Sequence, residues 1–184
     1  MSPNPVARPI ALVGLMGAGK STVARALSER LGGLVADLDA MLEAEWGGPV
    51  ADFFEREGEP AFRRLEGRLL DQALAAGAGV IACGGGIVLD PACRATLAAR
   101  CRVAWLEIGP AAAALRLAGV EGTRPLLGGG AAGETHSVRE RLEKVLAERR
   151  PLYEQVAQAR VPVEGRAVDE VAGEVLRQLG GWTG

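Results

Sequence analysis

Aromatic residues make up only 4% of this chain of 184 residues, histidine occurs once (His136), and lysine occurs twice, at Lys20 and Lys144. Cysteine is almost as scarce: Cys83, Cys93 and Cys101 are the whole set, with no C-x-x-C spacing. One histidine and three scattered cysteines argue against a structural zinc site, and an odd cysteine count suits the reducing cytoplasm. All three are expected to be small buried hydrophobes. No apolar run approaches the ~20 residues that a membrane-spanning helix needs, so no membrane partner is expected. The first ten residues, MSPNPVARPI, lack the charged start and long apolar core of a secretory signal. Nor is there an excess of basic charge. The net charge of −2 excludes a large electrostatic footprint for nucleic acid. With 48% hydrophobic and 24% charged residues, the chain reads as one cytoplasmic α/β domain over residues 1–184.

Against this scarcity of lysine, the position of Lys20 is informative. Gly14-Leu15-Met16-Gly17-Ala18-Gly19-Lys20-Ser21 fits the phosphate-binding loop G-x-x-x-x-G-K-[ST] without a mismatch. Ile10–Val13 before it is an apolar run of buried-strand type. After it, Val23, Ala24, Leu27 and Leu31 recur at helical spacing. A strand, this loop and then a helix is the context the motif requires. The backbone of Gly17, Ala18 and Gly19, with Ser21 and Thr22 at the helix start, is expected to cradle a polyphosphate. Lys20 is expected to reach the β- and γ-phosphates, and Ser21 to ligate Mg²⁺.

Strand and helix patterns alternate along the rest of the chain. Strands are predicted at Ile10–Val13, Leu34–Asp37, Val80–Cys83, Arg102–Ile108 and Arg160–Val163. Helices are predicted at Lys20–Leu31, Asp39–Glu45, Val50–Glu57, Glu59–Ala75, Pro91–Ala99, Pro110–Leu117, Ser137–Ala157 and Val168–Leu179. That alternation implies an α/β, three-layer P-loop fold: a parallel sheet of five strands with helices on both faces. Residues 118–135 break the pattern, being rich in Gly and Ala without apolar periodicity, and are predicted to form a mobile lid.

Five further segments carry polar chemistry. Asp37 and Asp39 end an apolar strand, where ligands of parallel sheets sit; one acid is expected near the metal and the other near an acceptor hydroxyl, the plainer alternative being that Asp39 caps the next helix. Arg63 and Glu66 lie three apart on one helix and can pair, which prepares a guanidinium to take a carboxylate in bidentate fashion. Gly84, Gly85 and Gly86 follow a strand, so something is expected to approach that backbone closely. Arg124, held extended by Pro125, sits in the lid, and Glu148-Arg149-Arg150-Pro151 forms a basic cluster in which Pro151 is expected to kink or break the helix.

In this order, the segments GLMGAGKST, DLD, ADFFEREGEPAFRRLE, CGGG, TRPLL and RRPLYEQVA resemble the shikimate kinases, which phosphorylate shikimate from ATP on the route to aromatic amino acids. The resemblance implies a nucleoside-monophosphate-kinase-like fold, ATP as co-substrate, one Mg²⁺ per site and a monomer. It implies that Asp39 binds the shikimate hydroxyls and that Asp37 lies near Mg²⁺. It assigns Arg63 and Arg149 to the shikimate carboxylate, Gly84, Gly85 and Gly86 to the turn against the substrate, and Phe54 and Phe62 to an aromatic wall. Arg124 becomes the lid arginine on the ATP phosphates, with Arg116 and Arg166 as the contacts to adenine. Lys20, Asp39 and Arg124 are then the catalytic set. The segment between Leu127 and Arg149 is longer than the family's usual lid by several Gly and Ala residues. Competing readings are a gluconate-type kinase, a GTPase switch and a motor ATPase. The GTPase reading lacks an N-K-x-D segment, and the motor reading lacks a basic surface.

Overall fold

In the computed structural model, which describes residues 8–118 and 138–180, the apolar run Ile10–Val13 is β1. All four of its side chains are 0% exposed, so both faces of the strand are covered. That burial on two sides marks the centre of a parallel sheet. The other strands are β2 (Val35–Asp37), β3 (Val80–Ala82), β4 (Arg102–Glu107) and β5 (Ala159–Pro162). They pair in the order β2-β3-β1-β4-β5, every pair parallel. The expected five strands are all present. The edge differs from expectation: Leu34 is 65% exposed and Val35 is 42% exposed, because β2 is hydrogen-bonded on one side only.

The helices among the described residues are α1 (Lys20–Leu31), α2 (Leu38–Trp46), α3 (Val50–Ala75), α4 (Pro91–Arg100), α5 (Pro110–Leu117), α6 (Val138–Val156) and α7 (Val168–Gln178), with a short 3₁₀ turn at Ile87–Leu89. α1 packs against α7, α5 against α6, and α2 against α3. The three cysteines are free and buried in this core, as expected of small hydrophobes.

Two helices match the expected segments and carry a local irregularity. The segments predicted as Val50–Glu57 and Glu59–Ala75 run together as α3, joined at a kink where Gly58 takes φ 77° and ψ 169°. Pro60 follows it, and the bend folds Phe54 back onto Phe62, with ring centroids 5.4 Å apart. In α6 the helix passes through Pro151 without breaking. A proline inside a helix costs about 3 kcal/mol. Here Leu142 and Leu146 before it, and Tyr153 and Val156 after it, are all buried, and that packing on both sides offsets the lost hydrogen bond.

The parallel order brings every strand's carboxyl end to the same edge. The phosphate loop follows β1, Asp37 and Asp39 follow β2, Gly84–Gly86 follow β3, and Arg166 follows β5. β1 lies between β3 and β4, whose chain connections run in opposite directions across the sheet, so a crevice opens there.

Candidate active site

The phosphate loop begins where β1 ends and closes on Gly19, whose φ of 84° and ψ of 24° cap α1 in the left-handed region that glycine adopts without penalty. Lys20 opens the helix, only 8% exposed, and its Nζ donates to the carbonyls of Gly14 at 2.9 Å and Leu15 at 3.1 Å. The ammonium is thereby folded back over the loop's own backbone. A crevice of about 280 Å³ lies beside it, lined by Gly17, Gly19, Lys20, Ser21 and Thr22 together with Asp37, Asp39, Cys83 and Arg116.

The two acids after β2 divide their roles differently from the plainer expectation. Asp37, not Asp39, caps α2: its Oδ1 accepts from the amides of Asp39 at 3.2 Å and Ala40 at 3.3 Å. The cap falls there because Asp37 is still extended (φ −110°, ψ 110°), whereas Asp39 already lies in the first turn of the helix. The capping bonds use Oδ1, and Asp37 lines the same crevice as Ser21. That pair fits Mg²⁺, which takes one or two protein oxygens and fills its octahedron with phosphate and water. No cluster of three or more His, Cys, Asp or Glu able to hold a metal exists among the described residues.

The acceptor end is built from three distant segments. Arg63 on α3 donates through Nη1 to Glu66 Oε2 at 2.5 Å and through Nη2 to Glu59 Oε1 at 3.1 Å, and lies over the Phe62 ring at 5.1 Å. The expected Arg63–Glu66 pair is therefore present, and it is largely buried: the two side chains are 12% and 4% exposed. Burial pushes the Glu66 carboxyl up to about 7, against the pull of the Arg63 guanidinium. The triple glycine is explained by close approach. A β-carbon on Gly86 would fall 2.6 Å from Arg63 Nη2, and one on Gly84 would collide with Glu66 Oε1 and lie 3.1 Å from Asp39 Oδ1. At Gly85 the neighbours are Gly14 O, Met16 N and Arg149 Nη1, at 3.4, 3.5 and 3.7 Å from the same hypothetical atom.

Arg149 reaches the turn from α6. It is 2% exposed, and its Nε and Nη1 have no hydrogen-bond partner among the described residues. A buried guanidinium with two unsatisfied donors is costly, and a bidentate anion is the group that satisfies it. Arg63 and Arg149 thus meet on successive glycines, with Phe54 and Phe62 packed edge to face beside them.

At the other end, Arg116 donates to Gly17 O at 3.2 Å and to Val163 O at 3.1 Å, tying the phosphate loop to the end of β5. Arg166 donates to Pro162 O at 3.2 Å from the same end of that strand. Both expected adenine contacts therefore bond to carbonyls at the end of β5, and Arg116 also lines the crevice. Arg124 and most of the predicted lid lie outside the described residues. Two residues were not singled out as part of the site in the sequence: Glu66, as an acid facing the acceptor end, and Tyr153, which donates to Gly85 O. The recurrence of Arg149 and Tyr153 four residues apart is the signal that places both on one helical face.

The sequence matches the shikimate kinase family model over residues 16–180. The chain belongs to the shikimate kinase family. ATP-dependent phosphorylation of shikimate is the activity of that family, and the chain is an enzyme of this kind. A shikimate kinase of Thermobifida fusca is 43% identical over 173 residues, covering 94% of this chain and 95% of the relative. Among solved structures, the Acinetobacter baumannii shikimate kinase in complex with shikimate superposes with a TM-score of 0.84 at 33% identity, covering 92% of this chain and 91% of that one. A gluconokinase of Sinorhizobium meliloti shares the fold alone, with a TM-score of 0.57 and 19% identity over 96% of this chain and 93% of its own. Among the described residues no helix is long and apolar enough to cross a membrane.

Proposed function

We propose that the protein transfers the γ-phosphoryl group of ATP to the 3-hydroxyl of shikimate, giving shikimate 3-phosphate and ADP for aromatic amino-acid biosynthesis. The observation that carries the site assignment is Arg149: a buried guanidinium with two donors lacking partners, set beside Arg63 on the glycine turn. In this reading the two arginines take the shikimate carboxylate, and Phe54 and Phe62 wall the ring. Asp39 accepts from the acceptor hydroxyl and orients its oxygen toward the phosphate loop; the amides of Gly17 to Thr22 hold the phosphates. Lys20 exchanges its backbone carbonyls for the β–γ bridge, where it neutralises the charge that develops as the bond breaks. Arg116 and Arg166 flank the adenine. Ser21 and Asp37 hold Mg²⁺, which when bound neutralises charge on the β- and γ-phosphate oxygens. No strong base is required, because phosphoryl transfer depends mainly on positioning and charge. Arg124 completes this set as the lid cation.

A coupled assay of ADP release with shikimate, quinate and gluconate as acceptors tests the reading. Shikimate is expected to support turnover and gluconate to support almost none. Gluconate-dependent release above the shikimate rate would sink it. For the site itself, Arg149→Lys keeps the charge and loses the fork, so the KM for shikimate is expected to rise at least tenfold while the Kd for ATP stays within twofold, about the scale of one good charged hydrogen bond.

A further inference from the structure

One residue in the site's surroundings joins the two halves of the crevice. Tyr153 is 0% exposed, and its hydroxyl donates to Gly85 O at 2.5 Å. Gly85 is the middle of the glycine turn, and a β-carbon there would touch both the phosphate loop, at Gly14 and Met16, and Arg149 Nη1. Tyr153 also stands four residues after Arg149, so one helical face presents both the guanidinium and the phenol that fixes the turn beside it.

The phenol ring is itself backed by the sheet. Trp105 on β4 stacks on it, with centroids 5.7 Å apart and planes 26° from parallel. Arg160 and Arg150 lie against the Trp105 ring at 4.9 and 5.4 Å. Glu107 holds both arginines, with Arg160 Nη2 at 2.6 Å and Arg150 Nη1 at 3.3 Å. A continuous packed column therefore runs from the Glu107 carboxylate through Trp105 and Tyr153 to the Gly85 carbonyl. Its members come from β4, β5 and α6. Burial pushes the Tyr153 phenol up to about 12, so it stays a neutral donor at every working pH.

We propose that Tyr153 is a positioning residue for phosphoryl transfer: by holding the Gly85 carbonyl it sets the separation between the phosphate loop and Arg149, and so the distance from the acceptor hydroxyl to the γ-phosphate. This rests on the assignment of Arg149 to the shikimate carboxylate. The requirement is geometric, because a reacting pair displaced by about 1 Å can lose a factor on the order of 10² in rate.

Tyr153→Phe removes the hydroxyl and keeps the ring stacked on Trp105. Steady-state kinetics in both substrates and calorimetric titration with ATP should show kcat/KM for shikimate down about tenfold, shared between a lower kcat and a higher KM, with the Kd for ATP within twofold of wild type. Trp105→Phe serves as the comparison for general loosening: it should lower Tm at least as much as Tyr153→Phe while leaving both shikimate parameters within twofold. Three results would overturn the proposal: Tyr153→Phe kinetics within twofold of wild type, an equal kinetic loss in Trp105→Phe, or loss of ATP binding in Tyr153→Phe. Arg149→Lys separates the two layers of the argument. If it leaves the shikimate KM unchanged, the carboxylate assignment fails and the proposal with it. If it raises that KM while Tyr153→Phe is normal, only the positioning role is lost.

Discussion

From Gly14 to Thr22 the phosphate end of the crevice is made of consecutive residues, and its geometry is written in main chain: a left-handed Gly19, a helix start, and a lysine turned onto two loop carbonyls. The acceptor end has no such run. Its parts arrive from α3, the turn after β3, and α6, and they are held by buried charge: Arg63 on Glu66, and Arg149 with two unpartnered donors. One end needs small residues so that backbone amides can converge. The other needs them so that guanidinium and carboxylate groups can approach, at Gly86 and Gly84. A backbone site is sensitive where its glycines take positive φ and at the side chain that carries charge. A site built from buried side chains is sensitive to any change in volume around it.

That contrast is tested most severely at Lys20. Lys20→Met preserves the stem's packing and removes the single ammonium of the phosphate end. We expect kcat to fall on the order of 10²-fold or more, the scale for losing a preorganised charged donor, with an unchanged circular dichroism spectrum. Turnover near wild type would mean that the backbone alone organises this end.

At the acceptor end a single methyl group should suffice. Gly86→Ala puts a carbon 2.6 Å from Arg63 Nη2, so the guanidinium must move. The expected result is a loss of about 10- to 100-fold in kcat/KM for shikimate, because an ångström of misplacement is enough. The Kd for ATP should stay within twofold, and a substitution by alanine that spares shikimate kinetics would break the comparison.

The same difference explains what the sequence disclosed. The phosphate loop was legible because a contiguous motif carries it, and β1, β3 and β4 were legible because buried parallel strands read as short apolar runs. The Arg63–Glu66 pair was legible because both partners share one helix face. Tyr153 and its carbonyl partner were not, since residues 85 and 153 are brought together only by the order of the sheet. The extent of α6 through Pro151 was legible from its apolar spacing, and no break occurs there because burial of Tyr153 and Val156 beyond it competes with the local rule for helix breaking. Which of the two acids caps α2 was not legible, because spacing cannot tell which is still extended; backbone geometry at Asp37 decides it.

The gentlest test asks whether the acceptor end's buried charge leaves a trace on stability. Glu66 has its carboxyl raised to about 7 by burial, from an ordinary value of 4.5, although Arg63 pulls it down and Asp39 adds to the rise. A carboxyl whose folded pKa is raised binds its proton more tightly in the native state than in the unfolded chain. Its contribution to stability is therefore fully present below about pH 4.5, and is lost as pH rises through about 7. Glu66→Gln keeps an acceptor for Arg63 and removes the titration. The Tm of wild type relative to Glu66→Gln should fall steadily between pH 4.5 and 7 and level off above that window. If the wild-type and Glu66→Gln curves run parallel, Glu66 is ionised in the native state across the whole range. The Arg63 pair would then outweigh burial, and the acceptor end would be held by a fixed ion pair, with no proton taken up on folding.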